Sequence, residues 1–334
     1  MPRIDVIATT ISGSISDWKK VERIIPLFKD HGYEDVRLIE VDSHEEARKS
    51  ANASLKDGCR FPLSAGGSGT FRAVLEGCIE SGVELSEIRL GFLRKGSADL
   101  IGKVLNMPDD IDEAIKVFAQ SIANDSFLLA DVLNARCKST RESAKHFIGY
   151  GGAEIFGRIP HYTENRHIKF YKGILGQLFG DLGPFTIGMM LSLIEKLLKS
   201  PFTKKRYWRI FADGKLTAEG FYQALILVNG YLGTELPFSD KPLGSGEFYL
   251  FGLKDIGIMK MLPQAKHTRS GAIMDDPIRW GLEPIIAKKE IELVPDTDIP
   301  FPVNVDGSTF IAEKSMTFSR VAQIPLISNN KISS

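Results

Sequence analysis

The chain has 334 residues, 43% of them hydrophobic and 9% aromatic, which is ample for a buried core and long enough for two domains rather than one. Its 42 basic and 42 acidic side chains cancel, so no overall field draws the protein to nucleic acid and any electrostatic function is local. Cys59, Cys78 and Cys137 are widely spaced among apolar neighbours with no CxxC pair; they are expected as reduced core residues of a cytoplasmic protein, not as a reactive thiol or metal site.

The opening MPRIDVIATT has neither the basic start nor the long apolar run of a signal peptide. The longest uncharged apolar run, LGPFTIGMMLSLI at 182–194, contains a proline and is too short to cross a bilayer.

In chain order, IDVIAT reads as a strand, followed by a helix with Trp18, Val21, Ile25 and Phe28 at helical spacing and Pro26 as a kink or end. DVRLIEV is a second strand. Ser43 and Glu46 then form a capping box for a helix whose Ala47, Ala51 and Leu55 share one face, stopped at Gly58. RFPLSAGG is a third strand, TFRAVLEGCIE a third helix and IRLGFL a fourth strand. DDIDEAIKVFAQSIAND is a helix that buries Ile111, Ile115, Phe118 and Ile122, with Asp109 and Asp110 at its positive end. This alternation predicts an α/β domain over 1–126, a parallel sheet with helices on both faces. From 127 to 311 the pattern turns to strands separated by Gly, Pro, Asn and Asp, which predicts an antiparallel β-sandwich domain interrupted by a helical insert at 169–199.

Three turns after strands have the composition of phosphate-holding loops. Gly66, Gly67 and Gly69 lie between the third strand and the third helix, where backbone N–H groups and a helix N-terminus favour anions. Glycine is expected there for close approach of phosphate and for positive φ. Ser12, Gly13 and Ser14 follow the first strand; Arg94, Lys95, Gly96 and Ser97 follow the fourth. In a parallel sheet the carboxyl ends face one way, so all three turns line one crevice, with Ser68, Thr70 and the other hydroxyls as donors.

These stretches resemble the diacylglycerol kinase catalytic-domain family, which includes sphingosine and ceramide kinases and bacterial lipid kinases. GGSGTFRAVLEG at 66–77 is similar to the family's GGDGT loop and LNEVANG helix, TTISG at 9–13 to its NPxSG, and RKGSADLIGKVLNMP at 94–108 to its third loop. FIGYGGAEI at 147–155, the stretch ADGKLTAEGFYQALILVNGYLG at 212–233 and VNVDGS at 303–308 look like motifs of its second domain, in the same order. The resemblance implies a fold of the NAD kinase and diacylglycerol kinase type, with a C-terminal segment 312–334 returning to the first domain. It implies transfer of the γ-phosphoryl of ATP, with Mg2+, to a lipid hydroxyl such as that of diacylglycerol or a sphingoid base.

The departures concern acids. Ser68 stands at the centre of the loop where the family carries an acid, Ala73 where it carries Glu, Asp99 and Leu100 where it carries Asn-Asp, and Ser308 where VDGE ends. A serine neither acts as a carboxylate base near neutral pH nor holds magnesium well. Asp306 is then expected as the catalytic and metal-associated acid, Ser68 as the occupant of the base position, Asp99 as a metal ligand or helix N-cap, and Glu76 as a replacement acid or a solvated helix residue. Asp213, also followed by glycine, is expected as a turn only. His161 and His167 are expected as structural or surface residues.

The segment 187–211, with Lys196, Lys199, Lys204, Lys205, Arg206 and Arg209 beside Tyr207 and Trp208, has the composition of a contact with an anionic membrane. The partners implied are a lipid alcohol, such a membrane at its periphery, and a second copy of the chain in a homodimer. A catalytically silent nucleotide- or lipid-binding relative and a kinase of a soluble acceptor, as in NAD kinases, are the competing readings.

Overall fold

The computed structural model describes residues 2–9, 21–94, 100–137, 144–164, 191–192, 194–195, 205–233, 236 and 238–329. Ser12, Gly13, Ser14, Lys95, Gly96, Ser97, Asp99 and His167 fall outside them, as does nearly all of the insert 169–199.

The chain divides into two units, Met1–Val132 with Ala322–Ser334, and Leu133–Val321. The chain passes from one to the other within a strand each time, at Val132 and again at Val321, so the change of sequence period near 126 marks the start of that strand.

In the first unit, β1 (Ile4–Thr9), β2 (Val36–Val41), β3 (Phe61–Gly66) and β4 (Gly91–Arg94) form a parallel sheet in the order β2-β1-β3-β4. Every residue of β1 is buried, as expected of a central strand covered on both faces. Helix α1 (Ile24–Asp30) holds Pro26 in its first turn, where no intrahelical hydrogen bond is lost, so the proline neither kinks nor ends it. Phe28 of α1 packs against Phe118 of the helix Ile111–Ala123.

Helix α2 (His44–Lys56) is capped by Ser43, which accepts from the Glu46 N–H at 3.1 Å, while Glu46 reaches back to the Asp42 N–H. Helix α3 (Ser68–Glu80) lies against α2 through Gly69, Ala73 and Gly77, one residue per turn. A Cβ on Gly77 would stand 2.3 Å from the Arg48 carbonyl oxygen. Ala73, where the family has Glu, is buried on this stripe. After α4 (Leu100–Val104), helix α5 (Ile111–Ala123) is capped by Asp110, which accepts from Asp112 and Glu113. The returning C-terminal segment pairs beside β4: Leu90 N–H donates to Pro325, and Ile327 N–H donates to Leu90.

The second unit carries most of an antiparallel sheet that has 11 strands among the described residues. They are β5 (Leu128–Cys137), β6 (Ala144–Phe147), β7 (Tyr150–Glu154), β8 (Tyr207–Ala212), β9 (Lys215–Val228), β10 (Phe248–Lys254), β11 (Leu282–Ala287), β12 (Glu290–Pro295), β13 (Phe301–Val305), β14 (Ser308–Ala312) and β15 (Met316–Leu326). The long strand β9 belongs to both halves: its first part pairs with β8 and its second with β7 and β10. The sandwich is thus one curled sheet, not two separate ones. Trp208 of one half meets Phe301 of the other edge-on at 4.9 Å, inside a core that also buries Phe147, Phe248 and Phe318. Helices α6 (Ile155–Glu164) and α7 (Ile258–Ser270) also lie in this unit.

All three cysteines are free and buried, and burial pushes the Cys59 thiol up from its ordinary value. No described helix is long and apolar enough to cross a membrane.

Candidate active site

The strand order of the first unit reverses between β1 and β3, and open α/β sheets bind ligands at such a point, outside the carboxyl ends of the strands. β1 ends there at Thr9 and β3 at Gly66, and the hydroxyls of Thr9 and Thr70 lie 2.8 Å apart, joining the end of β1 to the first turn of α3. Gly66 is required by that contact, since a Cβ on it would stand 2.4 Å from the Thr70 Oγ1 and 2.8 Å from the Thr9 Oγ1. Gly67 is the N-cap of α3, with φ −92° and ψ −176°, and a Cβ there would meet nothing within 4 Å.

None of Gly66, Gly67 and Gly69 has positive φ. The glycines therefore give close approach and not an unusual backbone, which corrects the expectation of a left-handed turn. No side chain caps α3, and its first backbone–backbone bond is from the Phe71 N–H to the Gly67 oxygen. The N–H groups of Ser68, Gly69 and Thr70 consequently point out of the helix start, with its partial positive charge behind them.

One further side chain covers this turn, and a second lies near it. The His44 ring, at the start of α2, lies over Gly69, so that a Cβ on Gly69 would be 2.8 Å from Nε2. Partial burial, and then the nearby Arg72 guanidinium, hold its pKa below the ordinary imidazole value. Arg72 is one turn beyond Ser68 on α3, with its Nε buried and unpartnered among the described residues. Sequence reasoning missed both. Arg72 sits inside the quoted motif, but His44 follows β2, whose turn contains no glycine to draw notice.

The second-domain motifs converge on one hydrogen-bonded knot within the second unit. Asp306, 3% exposed and at φ +43°, accepts on Oδ2 from Ile148 N–H at 3.0 Å, on both oxygens from Gly149 N–H at 3.1 Å, and on Oδ1 from Tyr150 N–H at 2.8 Å. Asn229 holds the same stretch, donating from Nδ2 to Ile148 O at 2.7 Å and from its N–H to Gly149 O at 3.0 Å. Thus FIGYGG, VNG and VNVDG, far apart in the chain, meet.

Asp213 repeats the arrangement in the other Asp-Gly turn. At φ +49° its carboxylate accepts from the N–H groups of Lys288, Lys289 and Glu290. Burial acts to raise its pKa, but these backbone bonds outweigh burial and hold it below the ordinary carboxylate value. Asp306 thus shares with a residue expected only as a turn the geometry that fixes loops, which gives it a structural task whatever else it does.

Among the described residues no three His, Cys, Asp or Glu side chains are grouped to hold a metal. Asp306 spends both oxygens on backbone amides, and Ser68 and Ser308 supply only hydroxyls, so the described donors do not fit a protein-held magnesium ion. Glu76, two turns along α3, is partly buried and has its own partner.

The basic aromatic segment is largely engaged where it is described. Lys205 pairs with Asp255 at 2.8 Å. Arg206 pairs with Glu154 at 2.7 Å and lies over the rings of Trp208 and Phe301, and Trp208 is fully buried. Internal packing accounts for these three; Lys205, despite its pair, and Arg209 are the exposed cations of the described stretch.

Residues 3–129 match the diacylglycerol kinase catalytic domain. The family resemblance carried by the motifs is thus matched over that stretch. A search of curated proteins finds no match. Among solved structures, a "putative diacylglycerol kinase from Bacillus anthracis str. Sterne" is similar, with TM-score 0.68 and 16% identity over 98% of this chain and 95% of that one. A second structure, of a diacylglycerol kinase from the same organism, has TM-score 0.64 and 15% identity over 98% of this chain and 97% of that one. At such identity the two structures establish the fold alone.

Proposed function

We propose that the protein binds ATP at the Gly66–Thr70 turn and transfers its γ-phosphoryl group to the hydroxyl of a lipid alcohol of the diacylglycerol or sphingoid type. The observation that carries this reading is the uncapped start of α3 at the switch point of the sheet, with open N–H groups and no side chain over Gly67. Phosphoryl transfer passes through a loose transition state that depends mainly on positioning and on neutralising charge, which a helix N-terminus and its amides provide. With serine at the loop centre, base assistance worth roughly 10²–10⁴ in rate is missing, so the reaction is slow. Magnesium is the part of the family's chemistry that the described side chains fit least, and no step is assigned to it.

One observation favours a second reading, a nucleotide-binding relative that transfers nothing: Asp306, the acid that survives from the family's set, is bound to backbone amides. Incubation with γ-labelled ATP and a total lipid extract separates the two. Label in a lipid that vanishes with Gly67→Asp supports the kinase. ATP binding by calorimetry with no labelled lipid supports the silent relative, and no binding in any condition defeats both.

A further inference from the structure

We infer that the Arg72 guanidinium, with the His44 imidazole beside it as an uncharged donor, serves the phosphate turn, so that a nucleoside triphosphate binds there without a divalent cation. This rests on the nucleotide reading above and concerns how the same site neutralises phosphate.

A triphosphate brings several negative charges to a small volume. A turn that carries carboxylates repels them and needs a cation between protein and phosphate, whereas a turn without acids and with its own guanidinium does not. The run 66–77 contains only two charged residues, Arg72 and, two turns from Ser68, Glu76. The acids implied by the resemblance at 68 and 73 are Ser68 and Ala73, and the second is buried against α2 and open to no ligand.

Arg72 makes no hydrogen bond or ion pair among the described residues, and its buried Nε–H is unsatisfied. His44 likewise makes none, and its ring lies over Gly69. Two nitrogen donors, one of them a guanidinium, set beside three open backbone amides, are completed by an anion. Gly69 makes room: with any side chain there the imidazole would have to leave the turn.

The test is titration calorimetry of the full chain with ATP, once in excess EDTA and once in magnesium, for wild type, Arg72→Gln, His44→Gln and Ser68→Asp. The expected wild-type affinity in EDTA is within about threefold of that in magnesium. Arg72→Gln is expected to lose about tenfold or more in EDTA, the scale of one charge-assisted phosphate contact, and His44→Gln less. Ser68→Asp, which leaves Arg72 and His44 in place, should make binding magnesium-dependent. Wild-type binding seen only with magnesium overturns the inference and leaves the nucleotide site standing, as does an unchanged EDTA affinity in an Arg72→Gln protein that melts normally. Absence of binding in both media overturns the nucleotide site itself.

Discussion

Two gatherings of backbone amides in this molecule are treated oppositely. At the start of α3 the N–H groups of Ser68, Gly69 and Thr70 have no side-chain cap. At the knot of the second unit, the N–H groups of Ile148, Gly149 and Tyr150 are filled by the Asp306 carboxylate. A nest that the chain fills with its own acid is a joint, while a nest left open at a sheet switch point is a place for a ligand's oxygens. The family motifs include both, and only geometry tells them apart.

The sharpest way to break this contrast is to fill the open nest. Gly67→Asp has room for its side chain and needs no unusual backbone, and aspartate at an N-cap takes the N–H groups that glycine leaves open. Nucleotide affinity should fall by roughly a hundredfold or more, through both occupied amides and charge repulsion, while the melting temperature holds or rises. Calorimetry beside thermal melting reads both. Retained ATP affinity in the folded variant would remove the phosphate turn from the argument.

Emptying the filled nest comes next. Asp306→Ala orphans three backbone donors and should cost about 3 kcal/mol of stability, seen as an early thermal transition. Asp306→Asn, which keeps one acceptor oxygen and tolerates φ +43°, should lose roughly half of that. A variant that melts like wild type yet transfers no phosphate would show the carboxylate to be chemical and not a joint. Asp213→Ala is the control, since it opens the same kind of nest around Lys288–Glu290.

The fold was more legible than the site for a physical reason. Strand and helix periods, the Ser43 cap and the Asp110 cap are local signals, and local hydrogen bonds satisfy them. The division of the second domain was less legible, because β9 serves both halves of the curled sheet and no local pattern announces a strand that changes partners midway. At the site, Gly66, Gly67, Gly69 and Thr70 were readable because their spacing is the motif. Arg72 and His44 were not: their meaning lies in α2 standing close enough to α3 for a histidine after a different strand to cover Gly69. Asp306 was read for chemistry because its partners, 156 to 158 residues earlier in the chain, are invisible in an Asp-Gly pair.

The smallest effect refines the contrast by half-filling the open nest. Ser68 is the first residue of α3, where a carboxylate interacts favourably with the helix dipole, so Ser68→Asp should stabilise the ligand-free protein by about 0.5 kcal/mol. That is about 1 °C in melting temperature for a chain of this length, present at low salt and screened at high salt. A gain of this kind means that the wild-type amides were unsatisfied and that serine keeps the turn open at some cost in stability. A loss means that another group already serves those amides, and the start of α3 is then a joint like the Asp306 knot.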